Sequence, residues 1–392
     1  MRPRRGAESA AERPKSKRWR KRLIGTFAAL LVAVPVAGGA GWWYVNYRIG
    51  QVRHVAIAKG VLHVSKPGAP FNVLLIGSDS RQSEGSNFGG ATVVTGQRSD
   101  VVIIARVVPA TREIYMLSIP RDLWVDIPGN VTDISGPNRI NAAFNSGPSL
   151  LIETLKKDLG IPIDHFAEVN FSGFAGMVAA VGGIKIDFPD PIKDGYTGLS
   201  VRRTGCQFIS GGMALAYVRS RHLSYEVNGV WNYDGMSDFS RIRRQDVFFH
   251  ALLDQVKAKE TNLLDMNDLL GSVVHNLAVD STMSTSDLRD LALEFRHASS
   301  GSIHTEVLPT IGTTLSSGAE VLDPAQPFDH AMIEKFLAIG TATAAGQQGT
   351  SAGSGSSASA ASSTTTTTTQ PSAGSGDVVF DTQPEPWNGT PC

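Results

Sequence analysis

Residues 23–45, LIGTFAALLVAVPVAGGAGWWYV, carry no charge and follow directly on a basic block. Twenty-three such residues are enough to cross a bilayer as a helix. Trp42, Trp43 and Tyr44 fall at the far end, where amphipathic rings sit at headgroup level. Residues 1–22 hold ten Lys/Arg against Glu8 and Glu12, and such a flank stays on the cytoplasmic side. The alternative is a cleaved signal peptide ending near Gly39–Gly41, but the apolar run exceeds the usual length of its hydrophobic region. The reading is therefore a retained, single-pass anchor with everything beyond it outside the cell membrane.

The formal net charge of zero hides this asymmetry, because residues beyond 22 are net negative by about eight. At 42% hydrophobic and 18% charged, the 392-residue chain has material for a substantial core. Cys206 and Cys392 are the two cysteines. An exported pair is able to form a disulfide, and two free thiols are also compatible with the sequence.

Along the chain, 1–22 is the cytoplasmic basic segment, 23–45 the transmembrane helix and 46–70 a stalk. A core at 71–259 and a mainly helical completion at 260–340, with a strand around Thr305–Leu308, follow; 341–392, rich in Ser, Thr, Gly and Ala, reads as a disordered tail. Phe71–Ile76, Val101–Val107 and Glu113–Ile119 are short, apolar and rich in β-branched residues, which predicts strands. The segment VPATREI predicts a tight hairpin between the last two. Further on, HFAEVNF, SGFAGMVAAV and GGIKIDF read as strand, helix and strand. This alternation predicts an α/β fold: a three-layer α-β-α sandwich with a mixed central sheet.

Charges collect at the ends of these apolar runs: Asp79, Arg81, Arg98, Asp100, Arg121, Asp122 and Arg139. The segments YVRSRH and SDFSRIRRQ add Arg219, Arg221, Arg241, Arg243, Arg244 and Gln245. Guanidinium forks bind phosphate oxygens bidentately, and ligands of α/β sheets bind at strand ends. Asp79 and Asp100 would repel a diphosphate unless a cation stood between them, and Mg²⁺ accepts such a donor set. The competing reading is a set of surface ion pairs of little energetic value. No GxxxxGK[ST] or HExxH element is present. His165, His222 and His304 are scattered and read as structural or surface residues. Asn130-Val-Thr132 and Asn388-Gly-Thr390 match a glycosylation acceptor pattern, which is weak by itself.

Seven ordered blocks carry a resemblance: NVLLIGSDSR, RSDVVIIARV, MLSIPRDLWVDIPG, RINAAF, HFAEVNFSGFAGMVAAVGGIKIDF, GCQFISGGMALAYVRSRH and SDFSRIRRQ. Over about residues 71–340 the chain resembles the LytR–CpsA–Psr proteins of bacterial envelopes, and GCQ and YVRSRH look like the actinobacterial branch. The resemblance implies a phosphotransferase that moves an arabinogalactan- or teichoic-acid-like glycopolymer from a polyprenyl-pyrophosphate carrier to peptidoglycan, forming a phosphodiester. It makes residues 71–259 the catalytic core. Asp79 and Asp100 would hold Mg²⁺, while Arg98 and Arg121 would stabilise charge at the reacting phosphoryl group. Arg219, Arg221, Arg241 and Gln245 would clamp the pyrophosphate, with Arg81, Arg139 and Arg244 as further substrate-binding contributors.

Ser240 departs from the Gly often found there, and Leu223–Met236 is longer than in many members. The tail stands where several actinobacterial members carry a second domain. Phe171, Phe174, Met177 and Val178 are candidates for a polyprenyl groove or for ordinary core. The alternatives are a polyprenyl-pyrophosphate pyrophosphatase or a non-catalytic envelope regulator. Nucleic acid is not an expected partner, because the short basic segment is too small for a DNA-binding fold.

Overall fold

The computed structural model describes residues 39–78, 99–129, 136–259, 263–295, 300–341 and 386–392. The chain falls into two units, 1–50 and 51–392. In the first, residues 39–49 form a helix (α1), on which Trp43 and Tyr47 stack with ring centroids 5.6 Å apart. Among the described residues no helix is long and apolar enough to cross a membrane; residues 23–38 of the predicted span lie outside them.

The second unit is built on a seven-stranded sheet. In chain order its strands are β1 (Arg53–Val55), β2 (Phe71–Ser78), β3 (Ser99–Val108), β4 (Glu113–Ile119), then His165–Asn170, Leu277–Asp280 and Ile303–Val307. With the hairpin strands β5 (Trp124–Ile127) and β6 (Gly136–Arg139) between, these last three are β7, β14 and β15. The order across the sheet is β1-β14-β7-β2-β3-β4-β15. The sheet is mixed: β2 runs parallel to β7 and antiparallel to β3, and β4 runs antiparallel to β3 and parallel to β15.

Alternation along the strands sorts side chains to two faces. Leu74 and Ile76 of β2, Ile104 of β3 and Leu117 of β4 join a core with α2 (Ile140–Asn145), α3 (Pro148–Asp158) and α9 (Phe328–Ala338). Val73, Ile103 and Met116 point the other way, toward Phe249 of α6 (Ser237–Lys259) and Leu291 of α8 (Thr285–Glu294). Helices therefore cover both faces. Each fully buried Leu or Ile contributes on the order of 1.5–3 kcal/mol by leaving water.

A second apolar cluster joins α4 (Phe171–Ala180), β8 (Ile184–Phe188), α5 (Gly211–Arg219) and α6. Val178 lies inside it, and Phe174 packs on Phe248 at 4.5 Å between centroids. Two small sheets flank this cluster: β10-β9-β12-β13, from Leu199–Val201, Ile192–Asp194, Ser224–Val227 and Val230–Tyr233, and β11-β8-β18, where β11 is Gly205–Ile209 and β18 is Thr390–Pro391.

Three segments differ from their sequence reading. The stalk supplies β1, which pairs with β14 at the edge of the main sheet. The helical completion carries β15 where a strand around Thr305–Leu308 is expected, and in addition β14 and a hairpin of Thr310–Thr314 (β16) with Glu320–Pro324 (β17). The additional strands are too short to show a clear period of two. Finally, residues 386–392 of the segment read as a disordered tail are folded, while 342–385 lie outside the described residues. β18 pairs with β8, and a Cys206–Cys392 disulfide closes the connection across a separation of 186 residues. On the loop-entropy account such a closure stabilises the folded chain by about 5 kcal/mol.

One buried ion pair gives the fold a defined pH response. Asp280 is fully buried, which alone would raise its pKa. Its carboxylate nevertheless accepts from His165 Nδ1 at 3.2 Å, the Phe166 amide at 3.0 Å, the Thr282 amide at 2.8 Å and the Thr282 hydroxyl. These bonds hold the group down to about 2. His165 is moved the other way: burial opposes its charge, but the bond to Asp280 outweighs that and raises its pKa.

The Asp280 contribution is complete above its unfolded pKa of about 3.9 and disappears as pH falls toward its folded value. The His165 contribution is complete below about pH 6.5 and is lost as pH rises through its raised value. Unfolding free energy should therefore drop by about 2 kcal/mol between pH ~5 and ~2 on account of Asp280. Denaturant titrations across pH should show this acid limb flattened in Asp280→Asn.

Candidate active site

The register of the main sheet brings several strand ends to one edge. Ser78, the last residue of β2, pairs with both Asn170 of β7 and Ser99 of β3. Ile119, the last residue of β4, pairs with Val102 near the start of β3. The exits of β2, β4 and β7 and the entrance of β3 thus share one end. Close approach matters here: a Cβ on Gly77 would lie 3.0 Å from the Cβ of Val101.

Arg121 and Asp122 follow β4 at this end in a tight turn, with the Leu123 amide donating to Pro120 O at 3.1 Å. The turn is pinned from both flanks. Asn141 N donates to Arg121 O at 3.3 Å, and Leu322 N donates to Asp122 O at 3.1 Å. Three guanidinium groups converge on the Asp122 carboxylate: Arg221 Nη2 at 3.1 Å, Arg139 Nε at 3.4 Å and Arg121 Nε at 3.5 Å. Their side chains are 26%, 38% and 22% exposed, so they are held in place while part of each keeps contact with solvent. Arg139 also donates to Glu320 O at 2.8 Å, tying the group to β17.

Arg221 reaches this point because its own turn is fixed from below. Asp194, 1% exposed at the end of β9, accepts from Ser220 Oγ at 2.7 Å and from the amides of Arg221 and His222 at 3.1 Å each. Its other oxygen accepts from the Tyr196 amide at 2.8 Å. Burial would raise the Asp194 pKa, yet these hydrogen bonds hold it below the ordinary value. At the end of α5, Arg219 lies over the Phe171 ring at 4.3 Å, a cation–π contact beside the end of β7.

The residues of SDFSRIRRQ sit on α6, behind this turn. Arg241 and Gln245 are buried, and Arg244 has no exposed surface. Arg244 Nη2 donates to Ser220 O at 2.5 Å and Gln245 Nε2 to Val218 O at 3.2 Å. Helix ends leave carbonyls without intrahelical partners, and these two side chains satisfy them at the end of α5. Arg244 Nη1 donates to Asp234 at 3.2 Å, Ser240 Oγ at 2.9 Å and Asn388 Oδ1 at 2.8 Å. Burial lowers the Arg244 pKa and the nearby Asp234 carboxylate opposes that shift. Its guanidinium is enclosed by protein, so its place is to hold the Ser220–Arg221 turn rather than to face a ligand.

Of the other sequence-derived residues, Asp79, Arg81 and Arg98 lie outside the described residues. Asp100 belongs to β3, where its backbone is described. Asn130-Val-Thr132 also lies outside them, and Asn388 is fully buried, which does not suit a glycan acceptor. Spacing did not reveal the organising roles of Asp122, Asp194 and Asn388. Asp122 adjoins Arg121 and is visible as a strand-end charge. Asp194 precedes Gly195 and reads as an ordinary turn residue. Asn388 sits at the far end of a low-complexity segment.

A mixed sheet with arginines gathered at one end, backed by a second buried arginine layer, defines the class. Residues 46–335 match the LytR_cpsA_psr family, and the chain belongs to it. It is similar to a probable cell wall biosynthesis protein, LcpB, of Corynebacterium glutamicum, with 34% identity over 245 residues. That match covers 61% of this chain and 54% of the relative. It is also similar to the polyisoprenyl-teichoic acid–peptidoglycan teichoic acid transferase TagT of Bacillus subtilis, with 28% identity over 290 residues, 70% of this chain and 83% of TagT. Among solved structures, a LytR-Csp2A-Psr enzyme from Actinomyces oris superposes with a TM-score of 0.57 at 26% identity, covering 73% of this chain and 95% of that one.

Proposed function

We propose that this chain is an envelope phosphotransferase that moves a glycopolymer from a polyprenyl-pyrophosphate carrier to peptidoglycan. The observation that carries the reading is the convergence of Arg121, Arg139 and Arg221 on Asp122 at the exits of β2, β4 and β7. Fixed guanidinium forks suit phosphoryl oxygens, and fixing them in advance avoids reorganisation as charge develops. The teichoic acid transferase among its relatives fits the same chemistry.

In the proposed step an acceptor sugar hydroxyl attacks the phosphorus bonded to the polymer. A new P–O bond forms, and the bond to the bridging pyrophosphate oxygen breaks. Polyprenyl phosphate departs with the electron pair, and the hydroxyl proton passes to solvent or a carboxylate. Arg121 and Arg98 would stabilise charge on the transferring group, Arg221 and Arg219 would orient the diphosphate, and Arg139 would support Arg121 through Asp122. Arg241, Arg244 and Gln245 would hold the wall from behind.

Among the described residues no cluster of three or more metal-ligating side chains forms. Mg²⁺ needs only one or two carboxylates, and the Ser78–Ser99 pairing brings together the backbone positions that adjoin Asp79 and Asp100 in sequence. These hard oxygen donors fit the ion, which when bound would neutralise diphosphate oxygens. Residues 23–45 would anchor the chain in the cell membrane with the catalytic unit outside.

Incubating the purified full chain with a polyprenyl-pyrophosphate-linked glycopolymer and a peptidoglycan fragment tests the reading. Mass spectrometry should find the two glycans joined by a phosphodiester. Only water-derived phosphorylated glycan would favour the pyrophosphatase alternative, and no turnover of the donor would sink both.

A further inference from the structure

The last seven residues, PWNGTPC, have no role in the reaction drawn above, yet they are built into the protein beside it. Trp387 lies flat on Tyr225, with centroids 4.3 Å apart and planes 3° from parallel. Asn388 is 0% exposed. Its Oδ1 accepts from Arg244 Nη1 at 2.8 Å, its Nδ2 donates to Ser240 Oγ at 3.1 Å, and its carbonyl accepts from the Tyr217 hydroxyl at 2.5 Å. Gly389 follows at φ +83°, and a Cβ there would lie 2.7 Å from Ile186 Cγ2 and 2.8 Å from Asp187 O. Only glycine allows Asn388 to enter at this depth. β18 and the Cys206–Cys392 disulfide then fix the segment to β8 and β11.

The contacts form a continuous line from this segment to the site. Asn388 holds one end of the Arg244 guanidinium, and the other end holds the Ser220 carbonyl. The next residue is Arg221, whose head meets Asp122. We propose that Asn388 is a positioning residue for the reaction: inserted from the C-terminus, it fixes Arg244 and through it the placement of Arg221. The inference rests on the phosphotransferase reading and adds to it a part of the chain that spacing alone separates from the site by more than 140 positions. An amide suits this role. Its oxygen completes the acceptor set of a buried cation and its nitrogen answers Ser240.

The test uses the full, disulfide-closed chain as wild type, Asn388→Ala and Asn388→Asp. Thermal melts and near-ultraviolet circular dichroism give the folded fraction at the assay temperature. Steady-state turnover of a polyprenyl-pyrophosphate-linked glycopolymer gives kcat and KM per folded molecule. Asn388→Ala should lower kcat about 10- to 100-fold, since small misplacements of positioning groups carry losses of that order. Asn388→Asp keeps an acceptor for Arg244 and should restore kcat to within about threefold of wild type.

Should Asn388→Ala fail to fold, Asn388→Ser, too short to reach Arg244, replaces it with the same fall expected. A folded Ala or Ser variant with wild-type kcat overturns the proposal, as does an Asp variant no better than Ala. Losses that merely follow the unfolded fraction also overturn it and leave a structural role alone. A wild-type chain with no turnover at all overturns the phosphotransferase reading, and this inference with it.

Discussion

Replacing Arg221 by alanine should reduce turnover of the lipid-linked donor by about 100-fold or more while leaving the fold nearly intact, and Arg121→Ala should do the same. Losing one preorganised donor to developing charge costs about 10²–10³ in rate. The stability effect should be small, because both side chains belong to partly exposed ion pairs around Asp122, worth roughly 0–1 kcal/mol. Arg221→Lys should not rescue, since an ammonium lacks the fork that reaches Asp122 and a phosphoryl oxygen together. The double variant should lose less than the product of the single losses, because residues acting on one group are not additive. Single-turnover kinetics with denaturant melts on the same preparations check each point. Wild-type rates in both single variants would remove these arginines from the reaction.

Arg244→Ala should do the opposite and damage the fold first. Its guanidinium is fully buried and serves Asp234, Ser240, Asn388 and the Ser220 carbonyl. Removing it strands the Asp234 carboxylate, 1% exposed, without its buried cation. Breaking a buried pair in this way costs about 3–5 kcal/mol. Replacing both partners together, Asp234→Asn with Arg244→Met, should recover a large part of that loss, because no lone charge is then left behind. Equilibrium unfolding with the disulfide intact measures both. If Arg244→Ala unfolds like wild type, the buried layer behind the site is not what holds it.

The contrast between these two arginines shows how much of the site could be read from residues alone. Both stand in arginine-rich segments, YVRSRH and SDFSRIRRQ, and both look like phosphate ligands when spacing is the guide. The difference comes from packing: α6 turns Arg244 inward against the end of α5, while Ser220 and Asp194 turn Arg221 outward. No periodicity encodes that choice. The strands β2, β3 and β4 were legible because their apolar, β-branched runs are short and end in charges. That the exits of β2 and β4 and the entrance of β3 share one end of the sheet follows from antiparallel pairing, which the hairpin at VPATREI already suggests.

Asp194 was not legible, because its partners return from Ser220, Arg221 and His222 through two intervening strands and a helix. Asn388 was hidden for a related reason. Composition places it in a segment with too little apolar surface to fold by itself, yet one disulfide, one stacked Trp and one buried amide suffice to fix seven residues. The clue was that Cys392 has only Cys206 to pair with.

The most direct measurement is a structure of the full chain with a polyprenyl-pyrophosphate analogue bound. The diphosphate should lie at the exits of β2, β4 and β7, with phosphoryl oxygens within hydrogen-bond distance of the Arg121 and Arg221 guanidinium groups. A diphosphate bound elsewhere, with both arginines still turned to Asp122 and no contact to phosphate, would contradict the assignment of this edge as the reaction site.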